Sequence, residues 1–186
     1  MANALEKIVN YQNSTALLLI PTKFSVLARR MIDIYANMQP NDVHVSATHE
    51  PIGLRISRET IRLVQQYIEH RIVIILRKAL NMAAHAKRDG VAMKDVQLVY
   101  TTLFNAPLPE SQEPIQEFKN GLKRLCFRAG IHRTTSTLQQ ACYDILVYEM
   151  QRYLMRLVYI TMSRNVTTIK PDIIQWINEH NPEPIY

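Results

Sequence analysis

Arg55 and Arg133 are the residues of this sequence best placed for chemistry on a polyanion. Each stands just ahead of a long stretch of helical periodicity. A guanidinium is planar, permanently charged and rich in donors. Held in a loop at a helix start, it can enter a narrow minor groove, where negative potential is strongest; it can equally be an exposed arginine facing water. Thr167 and Thr168 precede the last helical stretch, where a hydroxyl and free backbone N–H groups suit a phosphate or a plain helix cap. Arg58, Arg62, Lys123, Arg124, Arg128 and His132 are further phosphate candidates, each of which singly also fits a solvated surface. His85, Arg88 and Asp95 form a second cluster. Arg88 and Asp95 are close enough across one turn to pair, and a carboxylate shared by Arg and His favours the charged imidazole. The plainer alternative is a local salt bridge beside an exposed His.

No catalytic set is visible, and the sequence reads as that of a non-enzyme with no cofactor. The six His are scattered. His44 and His49 share a loop with Asp42 and Glu50, where a metal is conceivable, but solvated histidines are the simpler reading and no metal site is expected. There is no Gly-rich phosphate loop and no nucleophile motif. Cys126 and Cys142 are the only cysteines, too few for a disulfide framework or a zinc site, which points to buried apolar filler in a reducing compartment. No apolar run is long enough to span a membrane, and no signal peptide is expected at the N-terminus. The net charge of +6 and pI of about 9.4 suggest a polyanion partner. With no Lys-rich block in either half, the contact must come from the folded surface.

The elements that would hold these residues are helices, and only 4 Gly in 186 residues leave little material for tight turns. Residues 2–13 fit a short amphipathic helix. Pro21 suits the start of the next, with Phe24, Leu27, Ala28, Met31, Ile32 and Tyr35 on one stripe. Ala36–Gly53 reads as a loop. A long helix runs from an N-cap at Ser57 to about Lys87, closed by Asp89-Gly90, and a short one covers about Met93–Leu103. After a linker the plan repeats, with a short helix over about Pro114–Arg128, a long one over about Ser136–Ser163 and a short one from Pro171 to about Glu179. Arg55 lies 40 residues before Asp95, and Arg133 lies 39 before Asp172. Such a long helix, roughly 45 Å for thirty residues, cannot bury its apolar face against two short neighbours. Two such units can cross their long helices and cover each other, bringing the loop before one long helix beside the loop after the other.

The letters add a family to this layout. Tyr11-Gln12, Ser14-Thr15 and Leu17-Leu18, then Phe24, Leu27 and Arg29, resemble the first helix of core histone H-three. Leu54-Arg55 resembles the loop before its long helix. His85-Ala86-Lys87-Arg88 followed by Met93-Lys94-Asp95-Val96-Gln97-Leu98 is the most specific match. In the second half, Leu122-Lys123-Arg124-Leu125, Arg128, Gly130-Ile131 and Arg133 resemble the first helix and loop of core histone H-four, and Val166-Thr167 and Asp172-Ile173 its second loop and last helix. The likeness runs from about Ala4 to Asn178 and is to the fused histone doublets of some large DNA viruses, although there the H-four-like part usually comes first. Met1 falls where the family's globular part begins, so its basic tail is expected to be missing. Val9, Asn10 and Asn13 replace arginines, and the Ala36–Gly53 loop is longer than the family's.

The resemblance implies an all-α protein of two tandem histone folds, paired in one chain as a handshake pseudodimer. One fold would span 1–106 and the other 114–186, with a linker at 107–113. It implies Arg55 and Arg133 in minor grooves, a second copy joined through His85, Arg88 and Asp95, and sequence-independent wrapping of duplex DNA. A histone H-two-B/H-two-A-like pair would complete the particle at the outer face near Tyr159, Ile160 and Trp176. The location would be a virion or viral factory, or otherwise a nucleus, with no membrane. The rival reading is a histone-fold scaffold for protein–protein contacts in a transcription-factor complex, with little DNA wrapping.

Overall fold

The short–long–short rhythm sets the architecture. The computed structural model describes residues 16–38, 53–111 and 115–180. The expected helix over 2–13, nearly all of the Ala36–Gly53 loop including His44 and His49, and the last linker positions lie outside them. Helix α1 covers Pro21–Asn37, α2 Arg58–His85 and α3 Met93–Phe104; α4 covers Lys119–Arg128, α5 Ser136–Ser163 and α6 Pro171–His180. Within the described residues, the fold is helical apart from one two-stranded parallel pair, β1 (Arg55–Ile56) with β2 (Thr168–Ile169), and a 3₁₀ turn at Ile115–Glu117. None of these helices is long and apolar enough to cross a membrane.

Both long helices have 28 residues and begin and end alike. The side chains of Ser57 and Thr135 accept from the backbone N–H groups of Thr60 and Leu138, each at 3.1 Å, satisfying first-turn donors. At the other ends Lys87 and Asn165 turn left-handed, at φ 54° and 55°. The N–H groups of Arg88 and Val166 then reach back to Ala83 and Thr161, as in a Schellman closure. The expected stop at Asp89-Gly90 is thus corrected: the chain leaves the helix earlier, with Lys87 in the position a glycine usually takes. Gly130, at φ 94°, closes α4 in the same way. The short helix expected from Pro114 begins only at Lys119, after the 3₁₀ turn.

One continuous core joins all six helices. The apolar stripe of α5 is buried, from Leu138 and Cys142 through Leu157 and Val158. The run 141–147 is buried on all sides, because α5 packs against α1, α2, α3, α4 and α6. The α1 stripe is buried as expected except for Tyr35, which is only half-buried, and Met82 near the end of α2 is exposed. The two cysteines are buried, free and 3.8 Å apart at their Sγ atoms. Hydrogen bonding between them and burial push the Cys142 thiol well above its usual range.

Gly121 sets how closely α4 approaches the segment before α1. A Cβ there would lie 2.8 Å from Leu19 Cδ2 and 3.1 Å from two backbone atoms, the Leu18 oxygen and Leu19 Cα. Gly121→Ala is therefore expected to lower stability by about 1 kcal/mol in urea unfolding, overpacking outweighing the gain in helix propensity. A variant as stable as the parent would show that the 18–19 backbone gives way freely.

Candidate nucleic-acid interface

The loops before α2 and after α5 meet as the crossing of the long helices requires. The Arg55 N–H donates to the Thr167 carbonyl at 2.9 Å, and the Ser57 N–H to the Ile169 carbonyl at 3.1 Å. The Thr60 hydroxyl also reaches the Ile169 carbonyl, at 3.1 Å. Arg55 pairs in register with Thr168. Arg55 and Thr167 are exposed and Thr168 is half-buried. Arg55 and two threonines from sequence-distant loops are thus backbone neighbours on one small ledge at the N-terminal end of α2, where the helix dipole also favours an anion. Arg58, the first residue of α2, and Arg62 one turn on are both exposed. Neither threonine flanks α6: Thr168 belongs to β2, and Lys170 precedes Pro171.

Arg133 and His132 are exposed in the loop before α5. No strand pair joins that loop to the one after α2 among the described residues. Lys123 is exposed, with its ammonium 5.7 Å from the Phe127 ring centroid. Arg124 is half-buried and donates from Nε to the Asn120 carbonyl at 3.2 Å.

Arg128 departs from its expected role because it faces inward. Its guanidinium donates to the Ala16 carbonyl, and its Nη1 lies 3.8 Å from Oε2 of Glu69, with only 15% of the side chain exposed. Glu69 is buried and accepts from the N–H groups of Leu18 and Leu19 and from Gln65 Nε2, at 2.8–3.0 Å. Arg128 and Glu69 together tie the segment before α1 to both α2 and α4. Burial raises the Glu69 carboxyl above its usual range, partly offset by those hydrogen bonds.

The second cluster is assembled in part. Arg88 grips Asp95 with both terminal nitrogens, at 2.9 and 2.5 Å, and Asp95 also accepts the Ala92 N–H at 2.8 Å, capping α3. His85 stands exposed at the end of α2, near the exposed Met82 and with Leu98 exposed on α3. Trp176 is half-buried. Arg164 lies 4.8 Å over its ring, and His180 stacks on it at 4.6 Å. Tyr159, Met155 and Val166 are exposed.

Sequence reasoning missed the buried charges. Arg71 and Glu149 meet inside the molecule, Nε to Oε2 at 2.9 Å, with side chains 8% and 2% exposed. Buried Asp144 accepts from Gln140 Nε2 at 2.9 Å and from the Ser111 N–H at 3.1 Å, which fastens the linker to α5. The available signal was a charge standing inside an otherwise apolar helical face. No group of residues suited to a metal occurs among the described residues.

The family model described as core histone H2A/H2B/H3/H4 domain matches residues 2–102. No curated protein and no solved structure matches the chain.

The grip of Arg88 holds the Asp95 carboxyl below its ordinary value of 3.8, assisted by the Ala92 N–H and opposed by burial. Its stabilisation is therefore fully present above about pH 4 and is lost as pH falls through the lower folded-state value. Urea unfolding between pH 5 and 2 (about that range) should show Asp95→Asn losing part of the acid-side decline. An unchanged decline would contradict the ion pair.

Proposed function

The chain belongs to the core histone family, a structural, DNA-binding family, and from that premise we propose that it is a histone doublet that wraps duplex DNA. Residues 1–106 form an H-three-like histone fold and 114–186 an H-four-like one, joined through 107–113 and paired in one chain. The observation that carries this reading is the ledge on which Arg55 and Thr167, from the two halves, stand exposed side by side beside the start of α2. Arg55 enters a minor groove that faces the protein, and Thr167, Thr168, Arg58 and Arg62 take the flanking phosphates. Arg133 does the same from the other loop, with His132, Lys123 and Arg124 on phosphates. Binding is independent of base sequence, as in histone octamers, and falls as salt releases its counterion advantage.

Two further contacts complete the proposed particle. His85 of one copy meets the Arg88–Asp95 cluster of another, placing Met82 and Leu98 against a second chain. The face carrying Tyr159, Ile160 and Trp176 receives a histone H-two-B/H-two-A-like pair. The protein acts bound to DNA, in a virion or viral factory or in a nucleus.

Nuclease digestion of long duplex DNA loaded with the protein tests the reading. The expected product is a discrete protected fragment, roughly half the ~147 bp of an octamer particle, which vanishes for the Arg55→Ala/Arg133→Ala variant. A smear that the variant leaves unchanged would overturn wrapping by this chain and favour a protein–protein scaffold.

A further inference from the structure

The buried ion pair occupies an unusual address. Arg71 and Glu149 are 78 residues apart, the same interval that separates the starts of the two long helices, Arg58 and Ser136. Each therefore stands at the same position of its own helix, near the middle of 28 residues. One turn before Arg71 and one turn after Glu149, Tyr67 and Tyr153 stack at 4.6 Å between centroids. The Arg71 guanidinium also lies 5.8 Å from the Tyr67 ring and 5.4 Å from Phe104. The two halves thus meet through corresponding residues, and at that point they carry opposite charges.

A buried ion pair adds little net stability over an apolar pair of similar volume, because desolvation offsets the attraction. Removing one partner is costly, since it leaves a buried charge alone. The pair is therefore better suited to choosing partners than to strengthening one. In a pairing of two first halves with the same crossing, Arg71 would face Arg71. In a pairing of two second halves, Glu149 would face Glu149. Only first with second neutralises the centre.

We propose that Arg71 and Glu149 are the selectivity device of the pairing surface, so that each half accepts the complementary half and rejects its own kind. The partner that fits either long helix is thus the opposite half, from the same chain or from a second copy. This rests on the reading of the chain as two paired histone folds.

Charge reversal in the full chain tests it without DNA. Arg71→Glu and Glu149→Arg should each lower the melting temperature by roughly 10 °C, and the two together in one chain should restore most of the loss. Equal amounts of the two single variants, unfolded, mixed and refolded, should exchange halves, so that substituted positions 71 and 149 meet between chains. Native mass spectrometry should then find mixed dimers over unmixed ones about tenfold above random association. A double reversal no more stable than either single variant, or a random mixture, overturns the proposal. Success here with a failed nuclease test would leave a selective pair that does not wrap DNA; the reverse result would leave a wrapping protein whose halves are matched by other contacts.

Discussion

The crossing of α2 and α5 is the constraint on which the rest of the structure depends. A 28-residue helix with an apolar face has more to bury than two short neighbours can cover. Once α5 covers α2, the remaining placements follow. The loop before α2 reaches the loop after α5 and forms the β1–β2 pair; α3 packs against both long helices, and α1 lies across α5. At the centre sits a carboxylate–guanidinium contact at 2.9 Å rather than another pair of apolar side chains. The costliest groups to desolvate therefore mark the place where the register cannot slip without leaving charge unpaired.

The paired arginines alter how the overall charge should be read. Arg71, Arg88 and Arg128 each face a carboxylate, that of Glu149, Asp95 and Glu69 respectively. These three cations are balanced one for one, so the surplus of +6 belongs to the other residues. Several of those, Arg55, Arg58, Arg62 and Arg133, stand exposed near the starts of the long helices. A modest total is thus compatible with concentrated positive ledges, which is what a polyanion senses within a Debye length.

Helix placement was largely legible in the sequence because the long helices keep a strict 3.6-residue period and carry hydroxyl caps. The bounds of α5 were readable to the residue, and the Arg88–Asp95 pair followed from spacing across one turn. What periodicity hid was the sign of exceptions. Glu69, Arg71 and Glu149 look like outward charges to any rule that sends charge to solvent, and only the opposing element supplies the partner that makes burial tolerable. Arg128 was misplaced for the same reason: its partner, Glu69, lies on another helix in the other half. The end of α2 escaped because a lysine took the left-handed position beside an available glycine. Met82 is apolar and in phase, yet it is exposed near the end of the helix.

The linker has a consequence for how such a particle would come apart. Asp144 holds Ser111 against α5, so the joining segment is anchored as well as covalent. Two separate histone-fold chains can be diluted away from each other, and a half-particle can then lose one member while keeping the other. Here a rupture of the crossing leaves both halves tethered, and their return is a first-order event at an effective concentration set by the tether. In the proposed particle, loss from DNA would then be all or none for the pair, disassembly would have fewer steps, and the stoichiometry of the two halves would be fixed at synthesis.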